Sequence, residues 1–423
     1  MTSPSDRPVG PTPDRLRAEV DRLLEGARAA RLPGGGFGWL DDEGRPDPAR
    51  PPQLWITTRM THCFALGSLL GRPGDGEFAD HGLAGLAGVF ADPDHDGWFT
   101  ALDAAPGAAP SGAAPSGAAP SGVKEAYGHA FVLLAASSAV LAGRPGAARL
   151  LDRAVAVIET HFWDDDAGAM VEEWDRTWTT LDPYRGANAN MHSVEAFLAA
   201  AGATGDPVWL DRALRIAGRI VDRGARTHEW RVPEHFGPDW TELPEYNADV
   251  PAHPFRPYGV TPGHGLEWSR LMITLAGALE RAGRPAPAWL GEAAAGLFDR
   301  AVTDGWDGVH GGFPYTTDWL GHPVVPERFH WVMCEAVAAA WALHAATGEQ
   351  RYADDWARFW AYAERTFLDG RPGWLHEADA EGRPTSVTWT GRPDVYHAVQ
   401  ACLISQLPPA ASFAQACLQA GRA

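Results

Sequence analysis

The chain predicts an all-α fold, an (α/α)6 barrel with short hairpins between its helices. Three observations lead there. A turn-rich motif, aromatic and glycine residues followed by an acidic or polar turn, recurs six times. The stretches between copies carry apolar residues at the 3.6-residue helical period. The spacing between copies is about two helices plus a hairpin, the period of a supersecondary repeat. With 423 residues, 45% of them hydrophobic, the chain can bury one large core, so a single domain over residues 1–423 is expected.

The motif copies run from Gly36-Phe37-Gly38-Trp39 to Pro46, from Asp96-Gly97-Trp98-Phe99 to Asp103, and from Ala167 to Trp178. They continue from His228 to Trp240, Gly311 to Pro323 and Gly373 to Pro384. Each has the alternation and turn residues of a short hairpin. The helical stretches are Arg15–Ala30, Thr57–Leu70, Glu125–Ala142, Ala147–His161, Asn190–Ala201 and Pro207–Arg223. Pro262–Ala282, Pro287–Ala301, Val325–Thr347, Tyr352–Phe367 and Asp394–Leu407 complete the set. One segment, 104–122, breaks the pattern. Its Ala108–Gly122 portion is three copies of Ala-Ala-Pro-Ser-Gly, which cannot bury a core and reads as a flexible insert.

Composition excludes several classes of function. Lys+Arg 35 against Asp+Glu 54 gives a net charge of −19, which argues against nucleic acid or an anionic membrane as partner. Cys63, Cys334, Cys402 and Cys417 are scattered without a C-x-x-C pair, as expected of a reduced, cytoplasmic protein. The first residues lack an apolar signal core, and the longest apolar stretch, Ala130–Ala142, is too short to span a bilayer. Pro33-Gly34-Gly35-Gly36-Phe37 follows no strand and precedes no lysine, so it does not read as a phosphate loop. No Gly-x-Ser-x-Gly elbow is present. The 19 tryptophans suit stacking on sugar rings as well as core packing.

The residues that point to chemistry lie at helix starts. In Thr261-Pro262-Gly263-His264-Gly265-Leu266-Glu267-Trp268, Thr261 is a candidate N-cap and Pro262 fits the first helical position. His264 and Glu267, three apart, share a face. His192/Glu195 repeats the spacing, and His397/Gln400 repeats it with an amide. The other inner-helix starts offer Trp55 and Arg59, Tyr127 and His129, Asn188, then Arg328, His330, Trp331 and Glu335, and finally Trp389 and Tyr396. Histidine is a base near neutral pH, suited to moving a proton between adjacent carbons of an open-chain sugar. Arg59 suits stabilisation of an enediolate oxygen, and Glu267 suits orienting His264 or holding a hydroxyl. Glu195 and Glu335 read as structural partners of this network. Glu172, Glu173 and Asp175 read as a solvated hairpin, and His62, His129 and His330 as supporting residues. The same His-x-x-Glu spacing also fits half of a metal site. A glycoside hydrolase, which needs two flanking carboxylates, and a non-catalytic sugar-binding protein are further readings.

Several of these residues sit in motifs that occur together. Trp55-Ile-Thr-Thr-Arg59-Met-Thr-His62, Tyr127-Gly-His129-Ala-Phe131, Asn188-Ala-Asn-Met-His192 and His253-Pro-Phe-Arg256-Pro-Tyr-Gly259 come first. Gly263-His264-Gly-Leu-Glu267-Trp268, Arg328-Phe-His330-Trp331 and Asp394-Val-Tyr-His397 follow in order. Together they resemble the N-acylglucosamine 2-epimerase superfamily, most closely its mannose and sulfoquinovose isomerase branch. The resemblance implies an (α/α)6 barrel that interconverts aldoses and ketoses, or epimerises C2, with no metal and no cofactor. It implies that His264 and His397 are the acid/base pair, with Glu267 the carboxylate beside it. Arg59 then stabilises the enediolate and His192 assists ring opening, while Trp55, Tyr127, Asn188, Trp331 and Trp389 contact sugar. The expected reaction interconverts D-mannose and D-fructose, with lyxose a further substrate, in a monomer or homodimer. A cellobiose or N-acylglucosamine type 2-epimerase and a sulfoquinovose isomerase are the alternatives, and Arg256 is the residue that would favour an anionic C6 substituent.

Overall fold

The computed structural model describes residues 10–103 and 122–421, so most of the expected 104–122 insert lies outside the described residues. Thirteen α-helices are described: α1 Pro13–Ala27, α2 Leu54–Leu69, α3 Asp75–Ala87, α4 Ala126–Leu141, α5 Ala147–Val157, α6 Ala187–Thr204 and α7 Val208–Ala217. The rest are α8 Pro262–Arg281, α9 Trp289–Gly305, α10 His330–Thr347, α11 Gln350–Thr366, α12 Tyr396–Leu403 and α13 Phe413–Ala420. Even-numbered helices form the inner ring, each packed on its neighbours around the barrel; α3, α5, α7, α9, α11 and α1 form the outer ring. The division follows from the sequence. α4 is buried from Gly128 to Ala139 on every face, as a helix apolar all round must be. Outer α5 buries only a stripe, Leu150, Leu151, Ala154 and Val157.

The short strands do more than make local hairpins. Each inner helix is preceded by backbone pairing to the hairpin of the following unit. Leu54 N–H donates to Thr100 O, Val123–Glu125 pairs with Glu173–Asp175, and Arg185–Gly186 pairs with His235–Phe236. Val260 bridges Thr317, and Arg328–Phe329 pairs with Glu377–Ala378. The sixth seam closes the ring: Arg392 N–H donates to Leu40 O of the first hairpin at 2.9 Å. These seams fix where every inner helix begins, and so where its first-turn side chains point.

Some expected boundaries moved. Val325 ends a strand and α10 starts at His330, while Asp394 precedes α12 and accepts from Tyr396 N–H. The helices expected to reach His161 and Arg223 do so through wide π turns, Ile158–Phe162 and Gly218–Gly224. Two helices were not expected. α3 hides behind three glycines that lower helix propensity, but its close packing demands them. A Cβ on Gly85 would lie 2.5 Å from Gly36 N, and one on Gly82 2.0 Å from Thr61 Oγ1. α13 is short, starts at the Ser412 side-chain cap, and packs against α2, α4 and α6, where it floors the barrel. Cys63, Cys334, Cys402 and Cys417 are buried free thiols. No helix among the described residues is long and apolar enough to cross a membrane.

Candidate active site

A cavity opens at the N-terminal ends of the inner helices. α2 supplies Trp55 and Arg59, α4 Tyr127, α6 Asn188 and His192, α8 His264 and Glu267, α10 His330 and Trp331, and α12 His397. Loops add Phe255, Tyr315, His376, Trp389 and Asp394.

Two histidines in the wall are each backed by a carboxylate. His264 Nδ1–H donates to Glu234 Oε1 at 2.8 Å, and His397 Nδ1–H donates to Glu335 Oε1 at 2.9 Å. Holding Nδ1 as the donor leaves Nε2 of each ring as the free lone pair. The Trp331 ring lies against both, with centroids 5.4 Å from His264 and 5.9 Å from His397. Burial pushes His397 below the ordinary imidazole value, with Glu335 opposing. Arg270 Nε donates to the other oxygen of Glu335 at 2.9 Å. Burial alone would raise Glu335, but Arg270 and His397 bring it below its ordinary value.

Deeper in the cavity lies a second group. Glu267 Oε1 is 3.6 Å from His192 Nδ1 and 3.6 Å from Arg270 Nη2. Burial, together with the charges of Glu335 and Glu195, pushes Glu267 well above the usual carboxylate range. Burial also pushes His192 down to about 4. Burial thus pushes both Glu267 and His192 toward their uncharged forms. Glu195 behaves oppositely. Burial would raise it, but His192, Arg270 and the Tyr396 hydroxyl keep it ionised, and Gln400 Nε2 donates to it at 3.0 Å. His192, Glu195 and Glu267 are the one group among the described residues whose ligand atoms cluster closely enough for a metal ion, within 4.8 Å. The Arg270 guanidinium already supplies positive charge to these carboxylates.

Arg59 completes the polar wall. Its Nη2 donates to the Tyr127 hydroxyl at 2.7 Å and its Nη1 to Asp394 Oδ2 at 3.3 Å. The guanidinium lies over the rings of Phe131 at 4.5 Å and Tyr396 at 4.9 Å. Phe255 covers the mouth, its ring 5.4 Å from Trp389, 5.7 Å from Tyr127 and 6.4 Å from Trp55. The Trp389 loop is pinned by Glu377, whose carboxylate accepts the N–H groups of Val387, Thr388 and Trp389 at 2.8, 2.8 and 2.7 Å.

Residues 35–401 match the N-acylglucosamine 2-epimerase (GlcNAc 2-epimerase) family. The chain belongs to that family. It is 50% identical to a D-mannose isomerase of Thermobifida fusca over 410 residues, 96% of this chain and 97% of that one. It is 48% identical to a D-mannose isomerase of Pseudomonas cannabina pv. alisalensis over 405 residues, 95% of this chain and 94% of that one. Among solved structures, a crystal structure of a D-mannose isomerase superposes with a TM-score of 0.82 at 29% identity, covering 92% of this chain and 97% of the other.

In this GlcNAc 2-epimerase family member, ten of the eleven residues singled out from the sequence line one cavity: Trp55, Arg59, Tyr127, Asn188, His192, His264, Glu267, Trp331, Trp389 and His397. Arg256 does not. It lies 3.5 Å from Glu173 and 3.8 Å from Glu172 and covers the Tyr184 ring at 4.3 Å, so its charge is engaged outside the cavity. Glu172 and Glu173 are accordingly not the solvated residues expected; burial pushes Glu172 up to about 6 despite Arg256. Glu267 does not orient His264, because Glu234 holds that position. The i, i+3 spacing gives a shared face but not a shared depth, and Glu267 reaches past His264 to His192. Thr261 occupies the N-cap position, yet its hydroxyl makes no capping bond. Sequence reasoning passed over Glu234, Arg270, Asp394 and Glu377. Only Arg270 carried a local signal, three residues after Glu267 on the same helix.

Proposed function

We propose that this protein interconverts D-mannose and D-fructose as an aldose–ketose isomerase, working through a cis-enediolate. The observation that carries the mechanism is the pair of carboxylate-backed histidines, His264 and His397, against one tryptophan. Glu267 and His192, both pushed by burial toward their uncharged forms, form an acid–base couple suited to opening the sugar ring, where one oxygen gains a proton and the anomeric hydroxyl loses one. With the chain open, Nε2 of one of the two backed histidines removes the C2 proton. Arg59 stabilises the oxygen charge that develops on the enediolate. The other histidine exchanges protons with O1 and O2, and the proton delivered to C1 yields the ketose. Each carboxylate behind a histidine stabilises the imidazolium formed in passing.

The test is D-mannose in deuterated water followed by NMR. Fructose with solvent deuterium at C1, in whole or part, is expected. Glucose as the main product indicates C2 epimerisation instead. No conversion of any free aldose removes the reading.

The charge inventory of the wall sets the substrate class. Among the described residues Arg59 is the only arginine or lysine lining the cavity, and Asp394 pairs with it. An anionic group at C6 would meet Asp394 and the buried carboxylates without a free cation. D-mannose 6-phosphate is therefore expected to be converted at least about a hundredfold less efficiently than D-mannose, from a desolvation penalty of a few kcal/mol. Comparable kcat/KM values would show a cation recruited from outside the wall. The same argument disfavours a sulfonated hexose.

The pH profile follows from His397. The base must be neutral, and burial places His397 below the ordinary imidazole value. With His397 as the base, the acidic limb of kcat/KM should fall below the ordinary imidazole value. A kcat/KM profile whose acidic limb lies above pH 7 contradicts His397 as the base.

A further inference from the structure

His330 is buried, 4% exposed, and lines the cavity, yet neither of its ring nitrogens makes a well-formed hydrogen bond, the His376 backbone offering at most a weak contact. Leaving a buried polar group unpaired costs on the order of 1–3 kcal/mol. The neighbouring imidazoles do not bear that cost: His264 and His397 have their carboxylates, and His376 Nε2–H donates to Asp394 O at 3.4 Å. Nor is the ring loosely placed. It stacks on His376 with centroids 3.9 Å apart and 29° between planes. The His330 N–H donates to His376 O at 3.1 Å, continuing the seam in which Arg328–Phe329 pairs with Glu377–Ala378. Two rings from different units are thus fixed as one wall, with neither ring nitrogen of His330 well paired.

We propose that His330 is a substrate-binding residue whose imidazole hydrogen-bonds a hydroxyl at the C4–C6 end of the bound sugar. The position follows from helix geometry. Consecutive residues diverge by about 100° around a helix, and Trp331 takes the sector facing His264 and His397. His330 is left with the adjoining sector, beside His376 and Asp394. The chemical class follows from the ring. A neutral imidazole offers one donor and one acceptor, which complements a hydroxyl and not an anion. Burial and the nearby His376 hold His330 well below the ordinary imidazole value, consistent with that neutral form. A site built to pair a hydroxyl also rejects analogues that lack it.

The inference rests on the isomerase reading above, and the experiment separates the two. Wild type, His330→Phe and His330→Gln are assayed on D-mannose, 4-deoxy-D-mannose, 6-deoxy-D-mannose and D-lyxose. Wild-type turnover of D-mannose tests the reaction itself. Phenylalanine keeps the stack on His376 and removes both nitrogens, while glutamine keeps a donor and an acceptor. For His330→Phe the KM for D-mannose should rise about tenfold with kcat within about twofold. Glutamine should recover part of the loss. The penalty should disappear on the analogue lacking the hydroxyl that His330 holds. An equal penalty on all four sugars, or none on D-mannose, overturns the proposal. If the phenylalanine variant fails to fold, His330→Gln on the same panel decides by the same pattern.

Discussion

His397→Asn should lower kcat on D-mannose by about 10²–10⁴-fold while leaving the protein folded, because it removes an acid/base group and keeps a side chain of similar polarity. Solvent deuterium incorporation into unreacted mannose and into fructose should fall together, since both pass through the same deprotonated carbon. Glu335→Gln tests the dyad from behind. It keeps a hydrogen-bond acceptor for His397 Nδ1 but removes the charge that stabilises the imidazolium, so kcat should drop by a smaller factor than in His397→Asn, and KM should change little. Normal turnover in His397→Asn would remove the central assignment.

The largest effect on stability is expected at Arg270. It is 3% exposed, donates to Glu335 at 2.9 Å, lies 3.6 Å from Glu267 and stands over the Phe413 ring of the floor helix. Arg270→Met leaves the ionised Glu335 and Glu195 buried without their shared cation. Breaking a buried ion pair from one side costs about 3–5 kcal/mol, and the midpoint of denaturant unfolding should fall accordingly. Activity should fall as well, because Glu335 would rise in pKa and lose its hold on His397. Adding Glu335→Gln to Arg270→Met should recover part of the stability and none of the activity. A double variant as unstable as the single one would mean that Arg270 acts through packing rather than charge.

The barrel was legible because its repeat is written twice, in helical periodicity and in the recurring aromatic turn. The start of α8 was legible because Pro262 opens it, whereas α10 and α12 begin later than expected because strand and loop residues precede them. Depth was not legible. Local spacing placed His264 and Glu267 on one face, but which carboxylate meets which imidazole depends on side-chain reach and on Glu234, 30 residues earlier on another unit. Arg256 was read for its charge, yet the loop that carries it runs beside Glu172 and Glu173, and no local pattern announces that path. α3 escaped because glycines that look like breakers are there to let two helices and a hairpin approach closely.

The sixth seam has a consequence for biosynthesis. A nascent chain that has left the ribosome as far as α11 already carries Arg59, His192, His264 and Glu335, but lacks both His397 and the Arg392–Leu40 contact that completes the ring. Until then the ring is open at its sixth seam. The ring thus closes late, when a segment near one end of the polypeptide finds a hairpin more than 350 residues upstream.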